Sequence, residues 1–123
     1  MERTQPAPTR ATLGWIGQAV SGVLLLGLLG LHMIAHHYIV EGGLRNYAQV
    51  LDYVRNPLIL TIEIVFLIVV VYHALLGVRA ILLDLGLNAT QQTWLNRGLI
   101  VVGIVTLVYG VGLAVALFGM ANA

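Results

Sequence analysis

Three long apolar runs divide the chain, and its charged residues cluster between them. From residue 11 to residue 40 the only acidic or basic side chains are three histidines, and from 56 to 78 they are Glu63 and His73. No acidic or basic side chain follows Arg97. A bilayer crossing takes about 20 predominantly apolar residues. The pattern therefore predicts three membrane-spanning helices, at about 14–38, 57–85 and 93–118.

The segment between the first two runs has apolar residues at helical spacing. This predicts a short amphipathic helix at about 44–55, lying in the membrane interface. Its apolar positions are Leu44, Tyr47, Ala48, Leu51 and Val54. Asn56-Pro57 is a good helix start, Gly86 is placed to cap the end of the second span, and Asn88 or Thr90 caps the third. The predicted fold is all-α, a single transmembrane domain over residues 1–123.

Composition agrees with a lipid environment. Apolar residues make up 59% of the chain and charged residues 9%, with a mean hydropathy of +0.94. A soluble domain has roughly 25% charged residues. The absence of cysteine excludes disulfides, iron–sulfur clusters held by this chain and thioether-linked haem. A net charge of +1 without a basic run excludes a nucleic-acid partner.

Arginine distribution predicts the orientation. The N-terminal tail and the loop between the second and third spans share one side and hold Arg3, Arg10, Arg79 and Arg97, against Arg45 and Arg55 opposite. The positive-inside rule then places the N-terminus in the cytoplasm and the C-terminus outside. The expected location is a prokaryotic cytoplasmic membrane.

One histidine is predicted deep in the bilayer. An ionisable residue inside a membrane helix is costly and is by default a functional hypothesis, and neutral imidazole is a good iron ligand. Counting from Gly14 and Asp84 at ~1.5 Å per residue places His73 about 16 Å from the cytoplasmic face, His32 about 27 Å and Glu63 about 31 Å. His32 and His73 should therefore not clamp a single haem; if both ligate, two haems are each completed by a histidine of another subunit.

Other residues have two interpretations each. His36 and His37 are either interfacial residues or hydrogen-bond partners. Glu63 is either a helix-end residue near headgroups, or a site of proton exchange with an outward quinol site or outer haem. Arg79 either binds haem propionates or anchors the helix end. His73 itself has the alternative of a hydrogen bond to a neighbouring helix.

Small residues accompany these polar groups. Gly77 follows His73 by one turn on the same face and could make room for a flat macrocycle. Gly14, Gly17, Ser21 and Gly22 lie at turn-like spacings that allow close helix packing in lipid.

Two motifs combine these residues. His73, Gly77, Val78, Arg79 and Asp84 match the pattern His-x3-Gly-[Ile/Val]-Arg-x4-Asp in the second span. The first span carries Trp15-x5-Ser21-Gly22, followed by His32-Met33. These motifs and their spacing resemble those of the membrane-anchor cytochrome b subunits of succinate dehydrogenase and fumarate reductase.

The resemblance implies half of a six-helix heterodimeric bundle, made with a second membrane-anchor subunit. It implies docking of an iron–sulfur subunit and a flavoprotein subunit, with this chain as a subunit outside the catalytic centre. It further implies one or two b haems shared with the partner, through His73 and, where a second haem exists, His32. A quinone, menaquinone or ubiquinone, would bind at a shared site. Two positions depart from the family pattern: Ala19 replaces an arginine and Leu85 replaces a tyrosine, which weakens the case for quinone-binding side chains here.

Two alternatives stay open. One is a haem-free structural anchor of the same complex. The other is a small membrane protein that handles protons or ions through Glu63 and the histidines, although the apolar surface has no polar stripe.

Overall fold

The computed structural model describes residues 10–123, with side chains from Thr12 onward. Within this range the chain is all-helical. Three of its helical segments are long and apolar enough to cross a membrane, which confirms the predicted fold class. They are Thr12–Tyr38, Pro57–Leu83 and Ala89–Ala121. The helices are α1 (Arg10–Met33), which continues as a π-helical turn (Ile34–Tyr38), α2 (Tyr47–Val54), α3 (Pro57–Leu83) and α4 (Ala89–Ala121). Arg3, used above for the orientation, lies outside the described residues.

Side-chain caps set the helix starts. The Asn56 side chain accepts a hydrogen bond from the backbone N–H of Leu58 at 2.9 Å, and Pro57 opens α3, as predicted. Asn88 and Gln91 form a capping box, each side chain bonded to the other's backbone N–H at 2.9 Å. Because of this cap, α4 begins at Ala89, four residues before the predicted start at Thr93.

The other helix ends differ from the prediction by a few residues. α1 begins at Arg10 rather than near 14, and α4 continues to Ala121 instead of ending near 118. The amphipathic helix is shorter than 44–55, because Asn46 caps it in an extended conformation. α3 ends at Leu83, before the predicted 85, and Gly86 takes a positive φ of 75° in the turn that follows.

The three long helices form an open layer with α3 in the middle. α1 packs on one side of α3 and α4 on the other, and within the described residues α1 and α4 do not contact each other. α2 packs against α3 and α4 at the end of the layer that holds the C-terminus, which we call the α2 end. The opposite end, with the α3–α4 turn, is the turn end. Because nearly every apolar side chain on the long helices is at least partly exposed, the layer presents both faces to lipid or to partners.

Glycines bring the helices close together. A Cβ atom at Gly103 would lie 2.7 Å from Cδ1 of Leu75, and one at Gly110 would lie 2.6 Å from Cδ2 of Leu67. Two leucines of α3 thus fit against α4 where it has no side chain. On the other side of α3, the Tyr72 ring lies against Gly17. Such small-residue contacts are the usual means of close helix packing in lipid.

Candidate functional site

His73 projects from the middle of α3 towards α1. Its Nδ1 lies 3.0 Å from the Ser21 hydroxyl, and its Nε2 lies 3.4 Å from the side-chain nitrogen of Gln18. Gly22 lies beside the ring, where a Cβ would be 3.2 Å from Cε1 of the imidazole. We call Gln18, Ser21, Gly22 and His73 the His73 site. Ser21, with 4% of its surface exposed, is the one buried polar side chain among the described residues.

One hydrogen-bonding pattern leaves a lone pair on Nε2 of His73. The Ser21 hydroxyl is placed to donate to the backbone carbonyl of Gln18 at 3.0 Å. When it does so, it can only accept from His73, and Nδ1 carries the proton. The lone pair of Nε2 then faces the side-chain nitrogen of Gln18. An imidazole whose Nδ1–H is held by an oxygen and whose Nε2 has a lone pair has the usual arrangement of a metal-ligating histidine.

The side-chain amide of Gln18 makes fewer hydrogen bonds than its partly buried position requires. Its Oε1 atom is buried without a hydrogen-bond partner in the described chain. Buried polar atoms are rarely left unpaired, and such atoms often mark a functional site or an absent ligand. A group that bound Nε2 of His73 would displace the Gln18 amide, which makes one long contact with the imidazole. With Nδ1 protonated, the donor set of His73 fits a haem iron bound at Nε2.

Of the other residues predicted near His73, Gly77 lies on the same face of α3 as His73 and Arg79 lies on another. A Cβ on Gly77 would lie 3.3 Å from Gln18 Nε2, so Gly77 borders the same amide. Arg79 instead points towards α4, where its Nε donates to Asn96 Oδ1 at 2.7 Å. Arg79 and Asn96 line a cavity of about 400 Å³ at the turn end. Asp84 is exposed and forms the C-cap of α3.

A second polar group lies at the α2 end. Glu63 accepts a hydrogen bond from the Tyr53 hydroxyl at 2.9 Å, and its two oxygens face His32 Nδ1 at 3.0 Å and His36 Nε2 at 3.3 Å. We call His32, His36, Tyr53 and Glu63 the Glu63 cluster. The two imidazole rings are 4.3 Å apart between centroids, and the Phe66 ring lies 5.0 Å from that of His32.

α2 and the preceding loop support the Glu63 cluster. Burial and the hydrogen bond to Glu63 raise the pKa of Tyr53 to about 12, so its hydroxyl stays protonated and donates. The Arg45 guanidinium lies 4.2 Å from the centre of the Tyr53 ring and donates to the carbonyl of Ala35. His37 points away from the cluster, and its Nδ1 donates to the carbonyl of Gly43 at 2.8 Å.

The two polar groups are far apart along the membrane normal. The Ser21–His73 and His32–Glu63 contacts are separated by eleven residues of α1 and ten of α3. At 1.5 Å per residue this is about 15 Å. The depth difference exceeds the roughly 10 Å obtained by counting from the helix ends. A single haem therefore cannot be ligated by both His32 and His73 of one chain.

Several hydrogen-bond partners were not predicted from the sequence: Gln18 and Ser21 towards His73, Asn96 towards Arg79, and Tyr53, His32 and His36 towards Glu63. A signal for the first existed, because Gln18 and Ser21 are the only side-chain amide and hydroxyl groups between residues 11 and 31 apart from Thr12. Their i,i+3 spacing places them on one face of a helix. That polar pair in an apolar helix indicates a polar partner on a neighbour.

An open layer of three membrane-spanning helices, with ionisable side chains paired between them, defines a small polytopic membrane protein with a polar site inside the bilayer. The model of the succinate dehydrogenase/fumarate reductase transmembrane subunit family matches residues 3–118. The chain belongs to this family, which confirms the resemblance inferred from the motifs.

Two curated relatives support the assignment. A succinate dehydrogenase hydrophobic membrane anchor subunit from Thermoplasma acidophilum is 27% identical over 103 residues, covering 84% of both chains. A subunit of the same description from Archaeoglobus fulgidus is 36% identical over 72 residues, which is 58% of this chain and 61% of the relative. The chain is therefore similar to hydrophobic membrane anchor subunits of succinate dehydrogenase over most of its length.

Proposed function

We propose that this chain binds a b-type haem through His73 Nε2 and helps to pass electrons to membrane quinone within a succinate:quinone oxidoreductase. The observation that carries the proposal is the 3.0 Å contact between His73 Nδ1 and the Ser21 hydroxyl; with Nδ1 as the donor, the lone pair of Nε2 can bind iron inside the apolar layer. When bound, haem supplies a one-electron carrier with a potential tuned by its axial ligands and surroundings.

In this proposal the chain's own residues hold and orient the cofactor. Ser21 fixes the imidazole plane, and Gly22 lets the ring lie against the α1 backbone. The low-dielectric layer excludes water from the iron. Arg79 keeps one bond, to Asn96, among the described residues, and a guanidinium has further N–H donors suited to a propionate.

The open layer supports a partner subunit. Because His73 lies in a layer with two open faces, a second histidine and the remaining haem contacts come from a second anchor subunit, as in the six-helix arrangement that the resemblance implies. The names of the relatives place them in succinate dehydrogenase, and we extend this association, with iron–sulfur and flavoprotein subunits, to the present chain. The proposed orientation keeps the turn end cytoplasmic.

The chain's share of a quinone site is assigned to the cavity of about 400 Å³ at the turn end. Its lining is apolar apart from Tyr72, Arg79 and Asn96, which can hydrogen-bond a quinone carbonyl. Ala19 and Leu85 are both exposed and apolar, and they supply no such donor. The partner subunits would complete the site.

Haem content of the purified complex tests the proposal. A pyridine haemochrome assay on the wild type and on His73→Ala should show the loss of one haem per complex in the variant. His37→Ala is the matched control, because His37 bonds to a loop carbonyl outside both polar groups. Equal haem content in His73→Ala and the wild type would refute ligation and favour a haem-free anchor. The same assay on His32→Ala tests the second haem that the resemblance implies.

A further inference from the structure

The Glu63 cluster brings three metal-binding groups together from two helices. The ligand atoms of His32, His36 and Glu63 all lie within 4.8 Å of one another, and all three residues are partly buried. His32 is in the last turn of α1, and His36 is in the π-helical turn that follows. Single π-turns in helices are frequently found at functional sites.

The donor set is that of a divalent transition metal. Two imidazoles and one carboxylate are a known protein ligand set for zinc, with a fourth position left open. Ligands of a tetrahedral zinc ion at about 2.1 Å lie about 3.4 Å from one another. The His32–Glu63 and His36–Glu63 separations, at 3.0 and 3.3 Å, are already in this range, and the longest separation in the cluster, up to 4.8 Å, would have to shorten by roughly 1.4 Å.

The surroundings of the carboxylate also suit a metal ligand. Tyr53 donates a hydrogen bond to Oε1 of Glu63, the type of outer contact that orients a ligating carboxylate. A cavity of about 400 Å³ lies beside the cluster and is lined by His32, Tyr53 and Glu63, among others. Arg45, which also lines this cavity, is stacked on Tyr53 and bonded to Ala35.

We infer that His32, His36 and Glu63 form a site for a divalent transition-metal ion of the zinc class, which ties α1 to α3 at the α2 end. Haem at His32 is the competing occupant. A porphyrin iron takes one ligand from this chain and makes no use of the converging His36 and Glu63. A small ion uses all three donors, so their convergence favours the ion. This inference goes beyond the proposed function, and it does not involve His73.

Zinc itself is the probe. The complex is purified in detergent, dialysed to equilibrium against micromolar Zn²⁺ at pH 7.5, and its zinc measured by mass spectrometry. The wild type should retain one more zinc per complex than His36→Ala or Glu63→Gln. His37→Ala, which alters the neighbouring histidine outside the cluster, should retain as much as the wild type. Tyr53→Phe should bind about tenfold more weakly, because it removes the outer hydrogen bond.

Two further measurements keep the result decisive. His36→Cys restores a zinc ligand and should recover retention, which loss of folding in His36→Ala would not allow. Haem content should be unchanged in His36→Ala, Glu63→Gln and His32→Ala. Equal zinc in the wild type and in the cluster variants would overturn the site. The loss of one haem in His32→Ala would also overturn it, because that imidazole would then hold porphyrin iron.

Discussion

Replacing Ser21 by alanine is the sharpest probe of the His73 site. The substitution removes the hydroxyl of a residue that is 4% exposed, and this hydroxyl lies 3.0 Å from His73 Nδ1. In the proposed ligating form, the partly buried Nδ1–H then loses its acceptor, which costs about 1–3 kcal/mol. Loss of such a partner typically weakens metal binding about 10–100-fold. We expect the haem that depends on His73 to dissociate faster by a factor in that range.

The assay is the rate of haem transfer from the detergent-purified complex to excess apomyoglobin. Ser21→Thr keeps a hydroxyl and should restore most of the wild-type rate. Thr61→Ala is the matched control, because its hydroxyl bonds within α3 to the Pro57 carbonyl and does not contact His73. A Ser21→Ala rate equal to the wild-type rate, or an equal acceleration by Thr61→Ala, would show that the Ser21–His73 bond does not hold the ligand.

The remaining predictions concern packing and helix ends. Gly103→Val should lower the free energy of unfolding by about 1–3 kcal/mol, because the new side chain overlaps Leu75. Gly112→Val, which has open space around it, should lower the melting temperature of the complex less than Gly103→Val does. Asn88→Ala should cost about 1 kcal/mol by removing the cap of α4, and Asn88→Asp should retain most of the stability; equal melting of both variants would argue against the cap. Gln18→Ala should leave the haem content unchanged, since the bound group displaces this amide; loss of haem would contradict the proposed position of the iron.

Local signals in the sequence predict the helices well and their ends less well. The apolar runs and Asn56-Pro57 determine α3 because the cap and the proline act on adjacent backbone. The start of α4 was misplaced because Thr90, Gln91 and Gln92 are polar and add nothing to an apolar run. Their backbone is nevertheless helical, since Asn88 and Gln91 cap each other. Hydropathy indicates where a helix crosses lipid, and the cap indicates where it begins.

The candidate site was predictable in its histidines and less so in their partners. His73 stands out because it is ionisable within a long apolar run, which any reading of the sequence detects. Its contact with Ser21 depends on how α1 lies against α3, and no local signal sets that alignment. The pairing of His32 with Glu63 was not predicted either, although the depths expected for the two residues, about 27 and 31 Å from the same face, were similar. The π-helical turn, which brings His36 to the same carboxylate, has no clear sequence signature.

The two polar contacts between α1 and α3 have a consequence for how the helices find their alignment in the membrane. Apolar side chains in lipid discriminate poorly between neighbouring helix registers, because a shift of one helix along the other by one turn replaces one set of apolar contacts with a similar set. Here a slip of about 5 Å, one helical turn, would break the Ser21–His73 and His32–Glu63 contacts together. The pair therefore acts as a two-point lock on register. Among the described residues the α3–α4 seam has one such polar contact, from Arg79 to Asn96 towards the turn end, and leucines fit against glycines along its apolar middle.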